Sequence, residues 1–261
     1  CRMRNLLKAI HYQMRHDLFV IVLFLIAGII SGIIIISDVN FSSVTGSEFL
    51  ATVGMAYPIL FMILISMLTT RICGWDFMDK TLNYEILAGH TRNQVYWAKV
   101  CASLLWCLTS CIIFTVLPIL VVTMIYGWEA SIDPGSAVLC FALAIFPIIQ
   151  FISEIVLLTF LLKNYLIAAI ISCMLGEFVI MINMIMTSLG YQSMLFLALP
   201  NLIALFDFSN YHMGYVNGED VMVIDMALTT PVILTTILSS VLIGAACLVI
   251  GSVVFRKSDL R

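Results

Sequence analysis

The sequence predicts an all-α integral membrane protein with six transmembrane helices, preceded by an N-terminal amphipathic interfacial helix. Three observations carry that prediction. Of 261 residues, 62% are hydrophobic and only 10% are charged, against roughly 25% charged in a soluble domain. The apolar residues run in long unbroken stretches rather than in strand-like alternation. The basic residues fall only in alternate connections between those stretches. A soluble fold has too little interior to hide so much apolar surface. In lipid the backbone must satisfy its own hydrogen bonds, which leaves helices or closed barrels. Barrel strands alternate apolar and polar over about ten residues, so helices are the reading here.

The chain reads as a single transmembrane domain over 1–261, with 1–17 as the interfacial helix and spans at about 18–36, 50–70, 100–125, 137–162, 165–187 and 231–255. Each span has about 19 residues or more, enough for a hydrocarbon core of about 30 Å. Pro58, Pro118 and Pro147 fall inside spans and mark expected kinks. In the N-terminal segment, Met3, Leu6, Leu7, Ile10 and Met14 recur at helical spacing, with Arg4, Lys8 and Arg15 mostly off that stripe. This is the pattern of a basic helix lying on the inner leaflet.

Orientation follows from charge placement. All 12 Lys and Arg lie in the N-terminus, the loop after the second span, the turn at Lys163, or the C-terminus. The other three connections hold acids, among them Asp38, Glu129, Asp133, Glu219 and Asp220. Basic flanks stay in the cytoplasm, so both termini are expected there, in a bacterial-type inner membrane. The segment 187–230 is then extracellular. Its apolar part, 187–206, holds Gly190 and Pro200 and is read as a broken, partly dipping element. As a seventh span it would carry the basic C-terminus outside.

The motifs exclude several classes. The four histidines are scattered and the eight cysteines include no CxxC pair, so neither a metal site nor a disulfide framework is indicated. Cys107 and Cys111 read as two small apolar side chains. No GxSxG, HExxH or GxxxxGK[ST] occurs, so the chain reads as no enzyme and carries no cofactor of its own. Nothing points to nucleic acid.

The cytoplasmic loop 71–99 is the most informative segment. Asp76 is placed to cap a short helix running to Ala88, on which Met78, Leu82 and Ile86 form one stripe, widened by Phe77, Tyr84 and Leu87. Gly89 supplies a left-handed stop. Thr91 and Gln94 form a capping box for the next helix. A surface loop needs no apolar face, whereas a helix that docks in another protein's groove does. The plainer reading is a helix lying on the lipid surface.

In this loop the chain resembles type-2 ABC exporter permeases, the six-span subunits that partner a separate ATPase. The residues that carry the likeness are Asp79, Glu85, Gly89, Arg92, Tyr96 and Lys99, together with the basic amphipathic N-terminus, the Pro200 segment and the tail from Phe255. The resemblance implies a coupling helix that engages the ATPase through Asp76, Phe77, Met78, Asp79, Leu82, Tyr84, Glu85, Ile86 and Arg92. It implies a second permease copy, as homodimer or heterodimer, and ATP and Mg on the partner ATPase. It also implies export, and the compact, apolar build favours a small hydrophobic or amphipathic cargo, a peptide or antimicrobial.

Two acids lie inside spans. Glu154 stands nine residues before Lys163, roughly 13 Å deep at 1.5 Å per residue; Glu177 is near mid-span. A carboxylate at such depth costs about 2.5–3.5 kcal/mol on insertion scales and usually faces a partner or cavity. Each reads either as translocation-pathway wall or proton site, or as a hydrogen-bonded structural glutamate. The alternative function is a proton-coupled secondary transporter using these two acids.

Overall fold

The computed structural model describes residues 2–41, 45–54, 56–78, 88–129, 131–191, 194–208, 211–216, 219–224 and 228–257. Ten α-helices are described: α1 Arg2–His16, α2 Leu18–Phe41, α3 Gly46–Gly54, α4 Tyr57–Met78, α5 Arg92–Cys111, α6 Leu117–Tyr126, α7 Pro134–Leu162, α8 Tyr165–Ser188, α9 Ala198–Leu205 and α10 Thr230–Lys257. Five helical stretches are long and apolar enough to cross a membrane, six when the α1–α2 pair, bent by 61°, counts as one. Their outward faces are Leu, Ile, Met and Phe, for example Leu25, Ile29, Met124, Met174 and Leu242, each at least half exposed. So much contiguous apolar surface requires lipid around it. The chain is a multi-pass, helical membrane protein.

The apolar stripe of α1 is turned onto protein. Leu6, Ile10 and Met14 are buried, α1 lies along α5, and His11 stacks near Trp106 with centroids 5.3 Å apart. The basic side chains Arg4, Lys8 and Arg15 stay exposed. The face expected on lipid is therefore largely satisfied by α5.

The expected span 50–70 is broken and shifted. It divides into α3 and α4, with a turn at Ala56 whose N–H bonds the Val53 carbonyl at 2.9 Å. Pro58 sits in the first turn of α4, where its missing N–H costs nothing, so it starts a helix rather than kinking one. At the other end α4 runs eight residues past the expected stop. Arg71 ends an apolar run in a hydropathy reading, but in the fold its charge is paired, and the helix continues.

The α5–α6 stretch is continuous through a π-helical turn at Ile112–Val116. Pro118 has no N–H for the Phe114 carbonyl, and a one-residue widening of the turn accommodates that loss. Pro147 lies inside α7 without ending it. Asp133 caps α7 by accepting from Ser136 N–H at 2.8 Å. Lys163 closes it in the left-handed conformation (φ 54°), and Asn164 caps α8. That two-residue turn makes α7 and α8 antiparallel neighbours. Between α7 and α10, the pairs Gln150/Gly244 and Phe160/Phe255 advance together, so these helices run parallel.

Within 187–206, Thr187 and Ser188 close α8 and Ala198–Leu205 form a short helix, α9. Ala198, Leu199, Asn201, Leu202 and Leu205 are all buried, against α7, α8 and α4. Beyond it lies the one element, among the described residues, outside the all-α expectation: an antiparallel pair of β1 Tyr211–Val216 and β2 Glu219–Ile224, with Tyr211 opposite Ile224. The Ile224 N–H bonds the Ser131 carbonyl at 2.8 Å, which ties the strand pair to the connection between α6 and α7.

Candidate functional site

Two ion pairs and an aromatic cluster gather at the end of α4 that carries the basic loop. Asp17, between α1 and α2, accepts Phe19 N–H at 3.0 Å and so caps α2. Its carboxylate also receives the Arg71 fork, Nε to Oδ2 at 2.6 Å and Nη2 to Oδ1 at 2.9 Å. The guanidinium lies over the Trp75 ring, its Cζ 3.2 Å from the centroid, with Phe19 and Tyr165 at 5.2 and 5.0 Å. Such a planar, bidentate, ring-stacked cation is a role for Arg that Lys does not fill. Gly74 makes the approach possible: a Cβ there would come within 2.8 Å of Tyr165 Cβ. Three segments, the α1–α2 bend, α4 and the start of α8, meet on one side chain.

One turn further along α4, Asp76 pairs with Lys99 of α5. Lys99 is only 1% exposed, so the pair joins the two ends of the loop between α4 and α5 inside the protein. Beneath it Phe77, Tyr96, Phe160 and Phe255 pack edge to face and tilted, with centroids 4.9–6.3 Å apart. The Tyr96 hydroxyl donates to the Leu248 carbonyl at 2.8 Å. The helix ends that flank the loop are thus fastened to α7 and α10.

These placements change part of the loop's expected anatomy. Asp76, Phe77 and Met78 form the last turn of α4, not the start of a separate helix. Asp76 does not cap, because its carboxylate is engaged by Lys99 and its neighbours' N–H groups are already within a helix. Met78 is 45% exposed. Asp79, Leu82, Tyr84, Glu85 and Ile86, with the middle of the expected coupling helix, lie outside the described residues. Gly89 adopts φ 88°. Thr91 and Gln94 form the capping box in full, each side chain meeting the other's backbone N–H. Arg92, the first residue of α5, donates from Nη1 to the Arg256 carbonyl at 3.1 Å, which ties the loop's exit to the end of α10.

The two intramembrane acids are not equivalent. Glu154 lines a cleft of about 220 Å³ between α7 and α8, walled by Leu158, Leu161, Leu175, Val179 and Leu199. Gln150, one turn earlier on α7, donates Nε2 to Glu154 Oε1 at 2.8 Å and to the Phe196 carbonyl at 3.2 Å. Glu177 lies on the exposed face of α8 and outside that cleft.

Sequence reasoning missed the Asp17–Arg71 clasp. A signal was available: Asp17 is the only acid before Asp38, at the junction of a basic helix and an apolar span. Among the described residues no group of three or more His, Cys, Asp or Glu could hold a metal ion. The chain matches no known family model, no curated protein and no solved structure.

Proposed function

We propose that this chain is the membrane-spanning permease subunit of an ATP-driven exporter of the type-2 ABC class. It forms the pathway for a small hydrophobic or amphipathic cargo, with two copies around that pathway. ATP and Mg belong to a separate ATPase chain. The membrane is a bacterial inner membrane, and both termini are cytoplasmic.

The observation that supports this reading best is the ion pair of part-buried Asp76 with buried Lys99 at the base of the cytoplasmic loop. A loop that serves only as a connection needs no internal fastening of its two ends. A loop pushed by a partner does, because force on its middle reaches the spans only through stiff ends. Here those ends bear on α7 and α10 through Phe77, Tyr96, Phe160 and Phe255. The middle, with Asp79, Leu82, Tyr84, Glu85 and Ile86, is the part assigned to the ATPase. Glu154 is assigned to the pathway through the cleft that it lines.

The test is isolation of the chain from its native membrane in mild detergent. The expected result is co-isolation of an ATP-hydrolysing protein, and ATP-dependent transport after reconstitution with it. Isolation without any ATPase, together with transport driven by a pH gradient, would replace this reading with proton-coupled transport through Glu154 and Glu177.

A further inference from the structure

The α7–α8 cleft has one polar end and an otherwise apolar wall. On α7 its lining runs from Phe151 to Leu161, about 15 Å at 1.5 Å per residue. Its rim reaches the lipid-facing surface, since Leu161 and Leu175 are 54% and 51% exposed. Among the described residues Glu154 is its one charged lining residue, and no Lys, Arg or His lines it. Behind Glu154, outside the cleft's lining, stands Gln150. Gln150 is 0% exposed, and its Oε1 has no hydrogen-bond partner among the described residues. Its amide cannot be turned round at no cost, because Nε2 already serves the Glu154 carboxylate and the Phe196 carbonyl.

A carboxylate in a cleft with no basic residue in its described lining selects a cation rather than an anion. An ammonium offers three N–H donors and no acceptor, and a charged donor on a carboxylate makes a short, strong hydrogen bond. The apolar wall suits a hydrocarbon body. We propose that this cleft binds a cationic amphiphile, a single ammonium head on an aliphatic tail, with the head at Glu154 and the tail along Leu158 and Leu161. Depth gives the site its use. The head would rest roughly 13 Å from the Lys163 turn, nine residues along the helix, where an unpaired charge is most costly. Glu154 offsets that cost part-way across. The assignment rests on the exporter reading for its role in transport, though not for binding itself.

The test uses the full chain in phosphatidylcholine nanodiscs without any ATPase, at neutral pH. The probe is an alkylamine bearing a photoactivatable diazirine in its tail, with crosslinks mapped by mass spectrometry. Labelling is expected within Phe151–Leu161 and Ser172–Val179. Dodecylamine should compete at about tenfold lower concentration than dodecanol or dodecanoate, the fold-change that one charge-assisted hydrogen bond supports. Glu154→Gln should abolish this preference while leaving weak competition by all three. Leu158→Trp should block labelling whatever the head group. Equal competition by dodecanol in the unsubstituted protein overturns the proposal, and needs no variant to fold. So do labelling outside the cleft and an undiminished amine preference in Glu154→Gln. Transport is read separately with the ATPase present: amine binding without ATP-driven transport overturns the exporter reading and leaves the site. Export that continues when the amine preference is absent leaves that reading and removes the site.

Discussion

The Arg71 guanidinium holds both carboxylate oxygens of Asp17, at 2.6 and 2.9 Å, across 54 residues of chain. This contact sets where the bent α1–α2 pair meets α4. Both side chains are mostly buried, at 9% and 15% exposure. Removing one partner from such a pair leaves the other uncompensated, at a cost of about 3–5 kcal/mol. Arg71→Ala is therefore expected to lower the unfolding temperature in detergent sharply. Arg71→Lys should recover only part of the loss, because the ammonium has neither the fork nor the ring-stacking plane. Full recovery by Lys would show that charge alone matters here.

The Asp76–Lys99 pair makes a different prediction, because here two apolar replacements can stand in for two charges. Lys99→Met alone leaves the part-buried Asp76 without the Lys99 cation and should destabilise the chain. Lys99→Met combined with Asp76→Leu should restore stability, since replacing a whole buried pair by apolar groups is often neutral or favourable. If the loop transmits force through this joint, the double variant remains stable yet loses ATP-driven transport. A double variant that transports at the original rate would remove the pair from the coupling path.

Orientation is open to a chemical test. With the native cysteines replaced, a membrane-impermeant maleimide applied outside should modify a Cys introduced at Asn217 and leave one at Lys80 untouched. External modification at Lys80 contradicts the positive-inside assignment.

The loop's middle should carry the partner contact. Truncating large anchors at a docked interface often costs more than about 2 kcal/mol each. Tyr84→Ala with Leu82→Ala is thus expected to release the ATPase in a detergent pull-down while membrane insertion stays normal. Retention of full binding and full transport would make this segment a membrane-surface element only.

Features that depend on counting along the chain are readable before any folding is considered. Unbroken apolar length marks a membrane helix whatever it packs against, and the clustering of Lys and Arg in alternate connections needs no contacts to be read. The Thr91–Gln94 capping box and the Gly89 turn were legible for the same reason, since both are settled within a few residues. Features that depend on pairing between distant segments emerge in the folded chain alone. Arg71 ended a span in the linear reading, yet α4 continues through it because Asp17 cancels its charge. Asp76 looked like a helix cap because Lys99, 23 residues away, could not be placed beside it. Glu154 and Glu177 were indistinguishable as two acids in two spans, until packing turned one into a cleft beside Gln150 and the other onto an exposed face. The strand pair at Tyr211–Ile224 likewise takes its anchor from Ser131, a partner that no local pattern announces. A charge or polar group in a membrane is stable only with its partner, and partners are assigned by packing rather than by spacing.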